Sequence, residues 1–348
     1  MADIRSNERS AVSLVDAGRL IAILIVIAIH TDAFGSYPRA DYVFSNFIKI
    51  YAVPFFFVCS GFFLGVKLKR TNTLAGYREA LGKYGRRLLT PYLFWGVINF
   101  LVEIVVNVSK GMQAKQALVE QMHSWLVTSP GRALWYVQAI LILLLVLWVS
   151  NERKYLVGVT VAGAVLTFVL PCLEAAAALN NQAAADALAA YKRVFITEHN
   201  FVFYGVFVTG AILAAIDGLF DADRKGVCLL LMAVAVVVTI LARNTAFFAI
   251  AKRVSMLLFS FAAFGLLLQS RAPYSQAVSL RFRALSTMFY FTHIPVKYMF
   301  QLLFQKLRID NSLLVYCATL AALLVYSGCV MALKKRSAAA NRLFSAIY

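Results

Sequence analysis

The chain has 348 residues, of which 61% are hydrophobic and only 14% are charged. A soluble globular domain carries about 25% charged residues, so this composition excludes an ordinary soluble domain. The formal net charge is +18, but the basic residues lie in short segments between apolar runs. That pattern predicts contact with membrane lipids and no binding of nucleic acid.

Apolar runs recur along the whole sequence at the length of about 20 residues that crosses a bilayer core. They predict an all-α fold, a polytopic membrane bundle of about ten transmembrane helices that forms one domain over 1–348. The predicted spans are 14–34, 47–66, 88–108, 133–150, 155–173, 201–216, 226–242, 254–270, 285–305 and 312–333. An alanine-rich stretch, 175–190, lies between spans and predicts a short surface helix.

The basic residues also predict the orientation of the spans. An even number of spans places both termini on one side, and the segments on that side carry 20 lysines and arginines against 11 on the other. Cytoplasmic loops carry the excess of Lys and Arg. We therefore predict that both termini are cytoplasmic, with short tails over 1–13 and 334–348.

The first span carries three costly polar residues: Asp16, Arg19 and His30. Ionisable residues inside a membrane helix tend to face the bundle interior or a wet cavity. Eleven residues separate Arg19 from His30, which is three helical turns plus about 20°, so both lie on one face roughly 16 Å apart. Asp16 lies one turn before Arg19 and is placed to pair with it. The alternatives are that Arg19 snorkels to the headgroups and that His30 is an interfacial residue.

The second and third spans add further candidates. Pro54 within the second span favours a bent helix, and Ser60 followed by Gly61 favours close helix packing. Lys83, Arg86 and Arg87 form a basic cluster before the third span. This cluster is either an anchor for membrane orientation or a phosphate-binding patch.

The later spans carry four more candidates. Glu103 lies deep in the third span and needs a partner or water. Trp135 and Tyr136 open the fourth span, where an aromatic belt is the alternative to a functional role. His293 lies one turn before Lys297 in the ninth span, which favours a cavity-facing role.

The five cysteines lie in or beside apolar runs and form no CxxC pair. A metal centre and a disulfide framework are therefore not predicted.

These motifs together resemble the acyltransferase-3 family of integral membrane acyltransferases. The resemblance rests on Arg19 and His30 with ten residues between them, on Val53-Pro54-Phe55-Phe56-Phe57 with Ser60-Gly61, on the basic run ending in Pro91-Tyr92, on Leu134-Trp135-Tyr136, and on Tyr290-Phe291-Thr292-His293. It covers about residues 11 to 335. The basic run departs from the RxxR of the family, because its first position is Lys83 and its arginines are adjacent.

The resemblance implies a bacterial inner-membrane enzyme that moves an acyl group, usually acetyl, from cytoplasmic acetyl-CoA to a hydroxyl of an envelope glycan or related acceptor. Arg19 and His30 are the expected functional pair. His30 would accept the hydroxyl proton, because a histidine titrates near neutral pH, or would carry the acyl group briefly. Arg19 would hold a donor phosphate or polarise the carbonyl, and Lys83, Arg86 and Arg87 would bind the nucleotide phosphates of the donor.

Two other classes compete with this interpretation. The membrane domains of membrane-bound serine racemases resemble the same family and are linked to amino-acid supply, so a transporter of a small molecule or amino acid is the alternative. A structural or sensor membrane protein without catalysis is the third class. Buried Arg19, His30, Glu103 and His293 argue against it, because structural bundles avoid such residues.

Overall fold

The computed structural model describes residues 2–71, 73–127, 133–149, 152–194 and 201–348. Over those residues every regular element is a helix, as predicted, and none is a strand. The helices are α1 (Ala2–Thr31), α2 (Pro38–Val43), α3 (Lys49–Leu68), α4 (Leu74–Ser109), α5 (Ala114–Val127), α6 (Trp135–Val149), α7 (Arg153–Ala178), α8 (Gln182–Val194), α9 (Phe201–Ile216), α10 (Lys225–Ala242), α11 (Phe248–Gln269), α12 (Gln276–Lys306), α13 (Ser312–Arg336) and α14 (Ala338–Ile347). A π-helical turn, Phe44–Ile48, joins α2 to α3.

Seven helical segments in the described part of the chain are long and apolar enough to cross a membrane. They are Leu14–Thr31, Pro38–Leu68, Leu74–Ser109, Lys154–Ala178, Lys225–Ala242, Phe248–Gln269 and Ser312–Arg336. Two apolar helices, Trp135–Val149 and Phe203–Ile216, are shorter, and α12 has 31 residues but includes several basic ones. Each of the ten predicted spans thus coincides with one helix. The protein is a multi-pass membrane protein, and the number ten stays a prediction.

The helices group into two compact units. The first contains Met1–Gly18, Ile50–Gly82 and Ile142–Gln276, and the second contains Arg19–Lys49, Lys83–Leu141 and Ala277–Tyr348. Whether both belong to one membrane domain stays a prediction. Of the predicted site residues, Asp16 and Ser60 belong to the first unit and all others belong to the second.

Close packing of α3 on α9 characterises the first unit. A Cβ atom added at Gly61 would overlap the carbonyl oxygen of Val208, and one added at Gly65 would lie 2.8 Å from the carbonyl oxygen of Ile212. Small residues let two membrane helices approach in this way. The close approach predicted at Gly61 is therefore present, and the partly exposed Ser60 lies beside it.

The alanine-rich stretch differs in detail from the prediction. The helix predicted over 175–190 is divided, because α7 continues to Ala178 and α8 starts at Gln182, with Asn180 in the left-handed region at φ 63° between them. Helices also occupy the two predicted tails: α1 begins at Ala2, and α14 follows α13 after one residue. Residues 128–132 and 195–200, which lie between predicted spans, are outside the described residues.

The C-terminal helix α14 packs back onto α4 in the second unit. The indole Nε1 of Trp95 donates a hydrogen bond of 3.0 Å to the carbonyl of Ile347, and the ring of Tyr348 lies 5.5 Å from that of Trp95. The Tyr348 hydroxyl is 2.6 Å from the hydroxyl of Tyr326. Burial, followed by this hydrogen bond, raises the pKa of the Tyr348 phenol well above its ordinary value. The predicted C-terminal tail is thus part of the packed second unit.

Candidate active site

Two histidines from distant parts of the sequence meet in the second unit. His30 lies in the last turn of α1 and is partly exposed, whereas His293 on α12 is fully buried. Their ring centroids are 5.2 Å apart and the rings are inclined by 45°. We name these two residues the histidine pair. The sequence predicted each as a candidate but gave no sign of their contact.

Backbone carbonyls fix the tautomer of His293. Its Nδ1 lies 3.0 Å from the carbonyl oxygen of Phe289 and 2.8 Å from that of Tyr290. A carbonyl only accepts, so Nδ1 must carry the proton, and in a neutral imidazole the other nitrogen is then an acceptor. Nε2 has no hydrogen-bond partner among the described residues. His293 therefore has a buried lone pair on Nε2 without a hydrogen-bond partner among the described residues, in a ring that contacts the ring of His30.

The helix α1 runs unbroken from Arg19 to His30. The backbone geometry predicted from their spacing therefore applies, with both residues on one face and roughly 16 Å apart along the axis. Arg19 is partly exposed, and Asp16, in the first unit, is fully buried. The roles of all three residues stay predictions.

Two buried polar residues of α4, one of which contacts α12, lie in the second unit. Glu103 is 5% exposed, and the hydroxyl of Tyr298 donates to its Oε1 over 3.4 Å. Asn99, one turn before Glu103, is fully buried, and neither atom of its amide has a hydrogen-bond partner in the described structure. Neither Asn99 nor Tyr298 was predicted as a site residue. The spacing of four residues between Asn99 and Glu103 was a usable signal, because it places both on one helix face.

The basic cluster lies on α4 before the residues of that helix that pack near His293. Lys83, Arg86 and Arg87 are all exposed on α4. Sixteen residues separate Arg87 from Glu103, which corresponds to roughly 24 Å of helix. The exposed side chains of the cluster are available to bind a ligand.

The start of α6 lies within the second unit. Trp135 is buried, which a lipid-facing belt residue would not be, and the ring of Tyr136 contacts that of Tyr290 at a centroid distance of 5.7 Å. The Tyr290 hydroxyl donates to the carbonyl of Ala133 over 2.7 Å. The first turn of α6 thus packs beside the segment of α12 that holds His293. The neighbouring core residues are Tyr92, Trp95, Leu134, Val137 and Phe291.

A cavity of about 620 Å³ opens beyond the histidine pair. The ends of α1, α4 and α12 and the start of α13 surround it, and none of the basic cluster lines it. Its polar lining includes Thr31, Lys110, Tyr298, Gln301, Gln305 and Arg308. Nineteen residues of α4 separate Arg87 from the lining residue Val106, which is roughly 29 Å of helix, close to the thickness of about 30 Å of a bilayer core. The cavity and the basic cluster therefore lie at opposite ends of this unit.

A bundle of membrane-crossing helices with buried ionisable residues is typical of a membrane enzyme or transporter. The chain belongs to the family described as acyltransferase domain, whose sequence profile matches residues 13–331. It is therefore a membrane acyltransferase by family.

One relative has a different printed function. Over 151 residues, 43% of this chain, the sequence is 28% identical to an amino-acid racemase of Enterococcus faecalis. The matched region spans only 20% of that protein's length. No solved structure matches the chain.

Proposed function

We propose that this protein transfers an acyl group, acetyl in the first instance, from cytoplasmic acetyl-CoA to a hydroxyl of an envelope glycan, in the inner membrane of a bacterium. Its membership of the acyltransferase family supports the reaction class. The observation that carries the proposal is the histidine pair, with a buried and unoccupied Nε2 on His293 beside a partly exposed His30. Acyl transfer to a hydroxyl needs a base of this kind, because an unactivated hydroxyl is a weak nucleophile.

The reaction would proceed by attack of the acceptor oxygen on the thioester carbonyl. The new C–O bond forms, the C–S bond breaks, and coenzyme A leaves as its thiolate. His30 takes the proton from the acceptor hydroxyl and passes it to the thiolate, so that CoA is released as a thiol. The ring of His293, whose centroid lies 5.2 Å from that of His30, would stabilise the positive charge that forms transiently on His30.

The remaining candidates surround this step. Arg19 is on the face of α1 that carries His30, where its guanidinium would polarise the thioester carbonyl or hold a phosphate. Lys83, Arg86 and Arg87 would bind the nucleotide phosphates of the donor at the cytoplasmic end, since charge-assisted contacts to phosphate suit exposed basic side chains. The long arm of the coenzyme would bridge the distance to the histidine pair.

Two experiments test the proposal. Purified protein in nanodiscs should release CoA from acetyl-CoA faster when an envelope glycan fraction is added. Mass spectrometry of envelope glycans from cells with and without the gene should show the loss of an acetyl mass from one species. If neither CoA release nor the acetyl mass depends on the protein, the proposal is wrong.

A transporter of amino acids is the second candidate, and the match to an amino-acid racemase favours it. A transporter would take up or bind a radiolabelled amino acid such as L-serine without turning over a thioester. Uptake of L-serine into proteoliposomes, together with no CoA release, would select this alternative.

A further inference from the structure

The polar cavity at the end of the second unit has no part in the donor chemistry described above. Two helices connect it with the histidine pair. Thr31, which lines it, directly follows His30 on α1, and Tyr298, which also lines it, follows His293 by five residues on α12. Five residues correspond to roughly 7.5 Å of helix. The cavity therefore begins immediately beyond the candidate catalytic pair, on the side away from the basic cluster.

The charges of the cavity do not suit a polyanion. Two acidic residues, Asp32 and Asp310, line it together with two basic ones, Lys110 and Arg308. These charges balance, so the site lacks the positive excess that would bind the phosphates of acyl-CoA. Its ligand is expected to be neutral or nearly so.

The neutral polar groups of the cavity identify the ligand more closely. Gln301 and Gln305 lie one turn apart on α12, and neither side chain makes a hydrogen bond to another described residue. Each amide offers donors and an acceptor, a combination that matches neighbouring hydroxyls on one molecule. The rings of Tyr298 and Phe304 line the same cavity and offer flat apolar surfaces. By contrast, the Oδ1 of Asn311 already accepts hydrogen bonds from the backbone N–H groups of Leu313 and Leu314.

We propose that this cavity is the acceptor site and that it binds a sugar unit with neighbouring hydroxyls, through the amides of Gln301 and Gln305. The volume of about 620 Å³ lies within the range of roughly 300–1,000 Å³ typical of ligand sites. The proposal rests on the proposed acyl transfer and names the substrate-binding residues for it. One hydroxyl of the bound sugar would reach His30 from the outer end, while the donor arrives from the opposite end.

The test uses the full-length protein in nanodiscs, radiolabelled acetyl-CoA, and a glycan fraction from the envelope of cells that lack the gene. The double variant Gln301→Leu/Gln305→Leu removes the amides and keeps approximate side-chain size. We expect its KM for the glycan fraction to rise about tenfold or more, as two lost hydrogen bonds imply, with kcat changed less than about twofold. The nearly unchanged kcat, together with a monodisperse size-exclusion profile, shows that the variant is folded.

A matched control is Gln276→Leu, the same change in the first turn of α12 and outside the cavity. Its KM for the glycan fraction should equal that of the wild type. An unchanged KM for the glycan fraction in the double variant overturns the acceptor site. So does inhibition of acetyl transfer by millimolar L-serine that the double variant abolishes, since the cavity would then bind a zwitterion. If the wild type itself neither releases CoA nor labels the glycan, the proposed function fails instead, so the two failures are distinguishable.

Discussion

A single ionisable ring at the end of α1 determines the expected chemistry of this protein. Replacing His30 with Ala or with Gln should lower turnover by about 10²–10⁴, the usual contribution of a general base. Gln keeps size and polarity but does not accept a proton near neutral pH, so it should be nearly as inactive as Ala. The measurement is acetyl transfer in purified membranes, with protein level checked by immunoblot. If His30→Gln keeps more than about half of wild-type turnover, the base is another residue, and His293 is then the first to test.

Two conservative replacements of His293 separate its anchoring from its chemistry. Asn places its NH₂ near the position of Nδ1, so it keeps the donor to the carbonyls of Phe289 and Tyr290 but lacks a group at Nε2. Gln places an acceptor oxygen near Nε2 and loses the anchoring donor. If the lone pair matters, His293→Gln should retain at least about tenfold more turnover than His293→Asn. The reverse order would show that the residue only anchors α12.

Residue types and spacing revealed some of this site and concealed the rest. Arg19, His30, Glu103 and His293 were predicted because ionisable residues in apolar helices are rare. The contact between His30 and His293 could not be predicted, since it depends on how α1 packs against α12, and a single sequence contains no record of that packing. Tyr298 escaped notice because tyrosine is common in membrane helices.

Helix packing in the first unit depends on the small size of Gly61. An added methyl group would overlap the carbonyl oxygen of Val208 on α9, so Gly61→Ala should force α3 away from α9 and destabilise the protein by about 1–3 kcal/mol. Gly328→Ala on α13 is the matched control, because no atom lies within 4 Å of its added Cβ, and alanine is favoured over glycine in a helix by about 0.5–1 kcal/mol. Thermal unfolding in detergent should show a lower midpoint for Gly61→Ala and an equal or higher one for Gly328→Ala. Equal midpoints for both variants would refute the packing argument.

The length of the apolar runs predicted where helices occur but not how deep they start. All ten predicted spans coincide with helices, since about 20 apolar residues have few other stable structures in a membrane. The start of α6 was different: Trp135 suits an interfacial belt by residue type, yet it is buried. Leu134 and Val137 pack on Tyr92 and Trp95, and Trp95 lies about 12 Å of helix beyond Arg87. The residue types of a segment therefore do not specify how deep it lies in the bundle, because neighbouring helices as well as lipid can provide apolar surroundings.

Across the second unit, the basic cluster is expected to act on donor binding rather than on chemistry. Replacing Lys83, Arg86 and Arg87 together with alanine should raise the KM for acetyl-CoA, since each charge-assisted phosphate contact contributes about 1.5–3 kcal/mol. The value of kcat should change little, because the cluster would hold the nucleotide phosphates of the donor rather than its thioester. Alanine replacement of Lys334, Lys335 and Arg336, which removes the same charge from the last turn of α13, is the control. An unchanged KM in the cluster variant would mean that these residues only orient the chain in the membrane.

The orientation of the whole molecule decides which end meets the donor. Lysines and arginines number 20 on the predicted cytoplasmic side and 11 on the other, and such an excess sets the cytoplasmic face. The cavity and the basic cluster lie at opposite ends of the second unit, so this orientation gives the cluster access to cytoplasmic acyl-CoA and the cavity access to an envelope acceptor.

A green fluorescent protein fused after Tyr348 should fluoresce, and alkaline phosphatase inserted in α8, within 182–190, should be active. The exchanged fusions, phosphatase at the C-terminus and fluorescent protein in α8, serve as controls and should both be silent. An active phosphatase at the C-terminus would place the cluster outside the cytoplasm, where acyl-CoA is absent, and would remove both the donor site and the direction of transfer proposed for this protein.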